Sequence, residues 1–398
     1  VVPRPSPTAR ARIDIIAGEC RRTPVVGVSH TNSARSDGRT SRDNNFDALR
    51  LLFSVTVLVV HSFSMTRGAP ESARGGLVDH LRRFDLIENV GRPCLIGFFA
   101  IGGYLVCNSY LSSRNVLSYI WKRLLRIVPA FLPIALLSVL LVGPIGSDDA
   151  RAYFRDLDVV DQVRAIATLH VSPRTAHVFP HNLDHLLNGP TWSLPVEFAM
   201  YLLLALLGAS DLLRRRWPVA LCWIALAGLH IFIVRFEPPW AQIARFAQGT
   251  MEGAVPLYLV FVGGVLIQLY PALRKSTVVA AAALLWLVAR RYGIGHACDY
   301  LVAPVIFVWI GENRIRLPRP RDDLSYGIYL NAWPIQQLLI AFVSLDAPML
   351  TALALAICVP LAMLSWRCIE RPAMRLKVID PWQFALKFAK GGLRTEGP

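Results

Sequence analysis

Apolar runs long enough to form membrane helices recur along the chain, separated by short polar stretches rich in Arg, Pro and Gly. A run of about 20 apolar residues suits a hydrocarbon core of ~30 Å. Ten segments fit, at 46–66, 94–112, 124–144, 190–209, 217–235, 253–270, 276–290, 297–311, 324–343 and 348–368. The seventh and eighth are short, which leaves room for tilted, re-entrant or merged helices. The pattern predicts an all-α polytopic membrane protein with about ten transmembrane helices. No internal repeat of the kind often seen in inverted-repeat transporters stands out.

Composition narrows the class. Of 398 residues, 54% are hydrophobic and only 17% are charged, against about 25% charged in soluble domains. A soluble enzyme, a disordered chain and a disulfide scaffold are excluded. The net charge of +15 rests on 37 Arg and 5 Lys strung between the apolar runs. That distribution suits topology signals and anionic membrane lipid rather than nucleic acid. Basic clusters at Arg114/Lys122/Arg123/Arg126, Arg214–Arg216, Arg274/Lys275 and Arg314/Arg316/Arg319/Arg321 fall on one side with both termini. The positive-inside rule then puts both termini in the cytoplasm, in a multi-pass protein of the inner (plasma) membrane. The seven Cys form no CxxC pair, so no disulfide framework and no metal site is expected. Residues 1–45, with eight Arg and four acids, read as a disordered basic extension. The membrane domain runs over 46–373, and 374–398 form a cytoplasmic tail. The first long apolar run carries Asp47, Arg50 and His61, so it reads as a span rather than a signal peptide.

Three groups carry candidate chemistry. In the first span Asp47, Arg50, Ser54 and His61 are spaced by 3, 4 and 7 residues, which places them on one helix face. Arg50 and His61 return to within about 20° of one direction, ~16 Å apart along the axis. Ionisable groups at membrane depth face a bundle interior or a wet cavity; a helix-end anchor with a satisfied buried His is the competing explanation. Arg123 and Arg126, beside Lys122, are neighbours on one face at the start of the third span. Two guanidinium forks suit a pyrophosphate, and simple topology anchoring competes. In N-G-P-T-W-S-L-P-V-E at 188–197, Glu197 enters an apolar span after Trp192 and Ser193, at nearly the depth of His61. The two side chains are candidates for an acid–base couple.

These segments resemble the acyltransferase-3 family, membrane-bound acyltransferases that O-acylate cell-envelope polysaccharides and related molecules. The resemblance runs from N-N-F-D-A-L-R at 44–50 to C-I-E-R-P at 368–372. Its markers are Arg50 with ten residues between it and His61, G-F-F-A-I-G-G-Y-L at 97–105, R-L-L-R at 123–126, W-S-L-P-V-E at 192–197, L-S-Y-G-I-Y-L at 324–330 and Glu370–Pro372. It implies a donor, acyl-CoA and usually acetyl-CoA, delivered from the cytoplasm, and a saccharide or glycolipid acceptor on the outer side. His61 matches the essential membrane histidine and Arg50 its companion, with Glu197 as a third catalytic group. Arg123 and Arg126, with Lys122, match the basic cluster near the donor. Asp47, Trp192, Ser193, Tyr326, Tyr329 and Asn331 are candidates for the substrate cavity; Asn331 stands where many members have a His. Two chemistries stay open for His61, general base or acyl-accepting nucleophile. A different function also fits the intramembrane charges, a proton-coupled transporter or flippase of a lipid-linked sugar. His177, His181 and His185 are spaced by four, but Pro180 breaks the helix that a metal site would need. Gly97, Ala100, Gly102 and Gly103 read as close helix packing rather than phosphate binding, since no P-loop context is present.

Overall fold

The computed structural model describes residues 44–66, 90–173, 175–236, 251–292, 295–314, 317–318 and 320–379. Residues 1–43 and 380–398 of the two expected extensions lie outside the described residues. Among the described residues there is no strand. The helices are α1 (Phe46–Met65), α2 (Arg92–Leu111), α3 (Val116–Leu137), α4 (Ala150–Asp156), α5 (Val159–Ala167) and α6 (Ser193–Ala209). They continue with α7 (Trp217–Phe236), α8 (Met251–Leu269), α9 (Ser276–Arg291), α10 (Gly295–Trp309), α11 (Ser325–Phe342) and α12 (Ala347–Ser365).

Helix occupies each of the ten expected segments, but among the described residues six helices are long and apolar enough to cross a membrane. These are α1, α2, α3 extended to Ile145, α6 with its leading turn from Gly189, α7, and α12 extended to Val378. The reasons for the difference are local. α9 and α10 have 16 and 15 residues and reach only roughly 24 Å at 1.5 Å per residue. The apolar part of α8 is Ala254–Leu269. α11 buries Ser325, Asn331, Gln336 and Gln337, so it is polar where a lipid-facing helix would not be. Leu132, Leu136 and Leu140 of the α3 rod, and Leu221, Ile224 and Phe232 of α7, stay exposed on outward apolar faces, as suits lipid contact.

The core is set by the closest backbone approach in the bundle, between α2 and α8. A side chain at Gly103 would strike the Phe261 carbonyl, and one at Gly264 would strike the Ala100 carbonyl. Each helix thus supplies the glycine that receives the other, the small-residue contact by which membrane helices pack. Gly97 of α2 leaves room for the Phe53 ring of α1 in the same way. On the other side of α1, Gln336 of α11 donates to the Leu58 carbonyl at 2.9 Å and to Ser62 Oγ at 2.7 Å. Gly327 of α11 lies against Ala362 of α12.

Two connections matter for the site. α3 starts on Asn115, whose side chain accepts from the Ser118 amide at 2.7 Å. It holds Pro129 and Pro133 internally and passes into a π turn at Ser138–Val142, since each proline removes a backbone donor. After α5, the chain over 179–191 is strapped across α11. Asn182 donates to the Gln337 carbonyl at 3.0 Å, Gln337 donates to the carbonyls of Asp184 and Leu186 at 2.8 and 3.1 Å, and Trp333 donates to Leu186 at 3.0 Å. Asn188 donates to the Leu330 carbonyl at 3.0 Å. A 3-10 turn at Gly189–Trp192 then leads into α6.

Gly103→Val should therefore force α2 from α8 and cost on the order of 1–3 kcal/mol, the usual penalty of overpacking. Thermal melts of the detergent-solubilised protein check this; a melt matching wild type would mean that the α2–α8 contact yields without cost.

Candidate active site

Side chains from six helices enclose one cavity of about 140 Å³. α1 contributes Arg50; α3 contributes Arg123, Arg126 and Ile127; α6 contributes Ser193, Leu194, Glu197 and Tyr201. Ser325, Tyr326 and Tyr329 come from α11 and Phe261 from α8. The remaining wall is α2, through Leu95, Phe98, Phe99, Ile101, Gly102, Leu105 and Val106. One side of the cavity is thus wholly apolar, and the other carries guanidinium, carboxylate and hydroxyl groups.

The charged end is organised by Asp323, just before α11. Its carboxylate accepts from Arg126 at 2.7 Å, from Arg50 at 3.4 Å and from Ser325 Oγ at 2.7 Å. Arg126 also lies 3.8 Å from Glu370, which accepts from Ser365 at 3.1 Å, and its guanidinium stands 5.7 Å over the Tyr326 ring. Burial by itself would raise the Asp323 carboxyl, yet Arg126 and then Arg50, with the Ser325 hydrogen bond, hold it well below the usual carboxylate range. Arg123 differs. It donates to Ser109 Oγ at 3.1 Å and lies 6.0 and 5.7 Å over the rings of Tyr119 and Tyr201. Its Nε is buried without a partner, and among the described residues no carboxylate pairs with it.

At the opposite end Tyr329 donates to the Pro190 carbonyl, so its oxygen receives the Ser193 hydroxyl, 2.7 Å away. Between the ends, Tyr201 donates to Glu197. Both come from α6, four residues apart and so on one helix face.

The structure therefore gathers Arg50, Arg123, Arg126, Glu197, Ser193, Tyr326 and Tyr329 around one space. The other candidates lie elsewhere. Asp47 is exposed on α1. Lys122 donates to Ser113 at 2.9 Å, outside the cavity lining. Trp192 is 37% exposed, and the buried Asn331 donates back to the Gly327 carbonyl of its own helix at 2.8 Å. His61 is not in the lining. Its ring meets Trp333 edge-on with centroids 5.1 Å apart, and its Nδ1 is buried without a partner among the described residues. Trp333 follows Tyr329 by four residues, about 6 Å along α11, and neither it nor His61 is among the lining residues. The expected hydrogen-bonded couple between His61 and Glu197 is not formed, because Glu197 is held by Tyr201 and His61 by Trp333. Arg126, expected as a free phosphate ligand beside Arg123, is already matched to two carboxylates. Between α5 and α6, His177 meets Asp156 at 3.0 Å, His181 meets Asp148 at 3.5 Å and His185 meets the Phe179 carbonyl at 2.8 Å. The three imidazoles thus face different partners.

The acyltransferase-3 family model, described as an acyltransferase domain, matches residues 43–367. The chain belongs to this family. A protein of Shigella phage Sf6 named O-acetyl transferase is 26% identical over 344 residues, covering 83% of this chain and 96% of its own. Nodulation protein 10 of Rhizobium leguminosarum bv. viciae is 30% identical over 367 residues, covering 84% and 94%. No solved structure matches. The matched span of this O-acyltransferase holds every residue of the cavity lining.

Sequence reasoning missed Asp323, Tyr201 and Trp333 in this acyltransferase. Asp323 had a signal: with Asp322 it forms the acidic pair in a connection otherwise full of Arg. Tyr201 and Trp333 look like ordinary members of apolar helices, and only packing brings them to Glu197 and His61.

A buried pair broken from one side typically costs ~3–5 kcal/mol, so Asp323→Asn should lower stability by about that much at pH 7. A depressed folded-state pKa adds stability that is complete above the unfolded carboxylate value of about 3.9 and lost as pH falls through the lower folded value. Melts of wild type and Asp323→Asn should accordingly stay separated at pH 5 and converge only in stronger acid. Convergence already at pH 5 would show that the two arginines do not hold the carboxylate.

Proposed function

We propose that this O-acyltransferase moves an acyl group, acetyl in the first instance, from acyl-CoA to a hydroxyl of a saccharide or glycolipid acceptor. In this reading all ten long helices lie in the bacterial inner membrane, with both termini cytoplasmic. The observation that carries it is the cavity itself: Arg123, which no carboxylate pairs with among the described residues, at one end, and Ser193 and Tyr329 at the other, with Trp333, the ring neighbour of His61, four residues along α11 from Tyr329. A pyrophosphate satisfies the buried Nε and the free charge of Arg123, with Arg50 beside it. The pantetheine arm then extends along the bundle towards His61.

His61 acts in one of two ways. As general base it takes the proton of the acceptor hydroxyl while that oxygen attacks the thioester carbonyl; collapse expels the CoA thiolate, which receives the proton from the imidazolium. As nucleophile the imidazole attacks the thioester carbonyl and expels the CoA thiolate, which takes up the ring N–H proton; the acceptor hydroxyl then displaces the imidazole from the acyl group and gives its proton back to the ring. Its buried, unpaired Nδ1 suits either role. Arg50 supports charge that develops on the donor. Glu197, fixed by Tyr201, balances the cationic end.

The test is transfer of labelled acetyl from acetyl-CoA by the purified protein in nanodiscs, together with mass spectrometry of envelope glycans from a deletion strain. His61→Ala should keep its fold and lose transfer by at least the ~100- to 10,000-fold typical of positioned acid–base catalysis. Near-normal transfer by that variant would remove both roles, and loss of activity on collapsing the proton gradient instead would favour the transporter. Acid quench and intact-mass analysis separate the two chemistries through an acyl adduct present in wild type and absent from His61→Ala.

Arg123 and Arg126 should part company. Arg123→Ala should weaken CoA binding by about ten- to a hundredfold, equivalent to ~1.5–3 kcal/mol, with an unchanged melt. Arg126→Ala should lower the melt, because Asp323 and Glu370 lose their shared cation. Equal binding losses with unchanged melts in both would assign the two arginines the same role.

A further inference from the structure

The glycines of α2 are not equivalent. Gly97 and Gly103 are accounted for by the Phe53 ring and the Phe261 carbonyl, which a side chain at either position would strike. Gly102 has no such neighbour: a Cβ built there meets nothing within 4 Å. Glycine is the poorest helix former after proline, and packing does not ask for one here. What Gly102 borders is the cavity, where it sits in the middle of the apolar wall between Phe98 and Leu105.

That wall runs from Leu95 to Val106, ~16 Å along the axis at 1.5 Å per residue. Its positions fall on one helical stripe, and the facing wall carries hydroxyls, Arg123 and Glu197. A narrow space with one apolar and one hydrogen-bonding side fits a linear chain of methylenes and amides, which needs both. A saccharide, with hydroxyls on every edge, would leave polar groups unpaired against α2. We propose that Gly102 is a bore-setting residue, whose missing side chain keeps the cavity wide enough for the amide-bearing thioester arm of the donor. The inference rests on the acyl-CoA reading above and adds the residue that determines access along the channel.

Because a Cβ at 102 meets nothing within 4 Å and any longer side chain extends into the cavity rather than into a packed helix, substitutions there should fold. The full-length protein in nanodiscs, as Gly102→Ala, Gly102→Val and Gly102→Leu, is assayed for donor KM, acceptor KM, direct binding of unacylated CoA and melting temperature. Donor KM and the CoA dissociation constant should rise with side-chain volume, reaching tenfold or more at Leu, roughly the scale of discrimination by methylenes in a pocket, while acceptor KM and the melt stay at wild-type values. Donor KM and CoA binding in Gly102→Leu equal to wild type would overturn the proposal alone, as would a rise confined to acceptor KM. Should Leu not fold, the Ala and Val variants carry the same comparison. Wild-type protein that neither binds nor uses CoA overturns the acyl-CoA reading and the proposal with it.

Discussion

A charge buried in a helix bundle has to be matched, and here one carboxylate does most of the matching. Asp323 receives Arg126 from α3 and Arg50 from α1, while Glu370, just past α12, approaches Arg126 from the other side. Four parts of the chain far apart in sequence meet at that point. Without the carboxylates, two guanidiniums would face each other with little water to screen them, and the helices bearing them would separate. Because they are matched, the mouth of the cavity is a fixed ring. Arg123, one turn from Arg126 on α3, is then the guanidinium left with unused capacity.

The second support is apolar and lies behind the first. α2 and α8 touch backbone to backbone at Gly103 and Gly264, which turns the next face of α2, with Leu95, Phe98 and Gly102, into the cavity wall. A rigid apolar wall opposite polar helices gives an elongated space with distinct sides. The polar side is anchored piece by piece: Tyr326 to the Ile127 carbonyl at 3.1 Å, Tyr329 to Pro190, Tyr201 to Glu197. The hydroxyls of Tyr326 and Tyr329 serve both as lining and as ties to neighbouring segments, while Tyr201 fixes Glu197 within α6 itself.

Much of this was legible in the chain itself. Helix lies over each of the ten apolar runs, and Arg50, Arg123, Arg126 and Glu197, which the sequence offers as members of separate groups, line one cavity. Less legible was how far each helix is from being a plain span. α11 looks apolar in a window, yet Gln336 and Gln337 make it the polar spine to which α1 and the strap between α5 and α6 attach. Partners of the charged groups were also hidden, because pairing across 197 residues, as between Arg126 and Asp323, leaves no local periodicity. His61 shares α1 with Arg50, yet only Arg50 lines the cavity, and the neighbour of His61 is an aromatic ring rather than a carboxylate. Nothing in a single helix tells which residue of another helix will lie against it.

The strap over α11 has a consequence for how the molecule can change. Gln337 and Trp333 hold the segment by its main-chain carbonyls at Asp184 and Leu186, and any residue there offers the same carbonyl. The side chains of 183 to 186 are therefore not needed for attachment, and Leu183 already points outward, 58% exposed. Variation in this loop leaves its seat on the helix intact. That seat is a property of α11, whose Trp333 and Gln337 supply each of those donors, and not of the segment they hold.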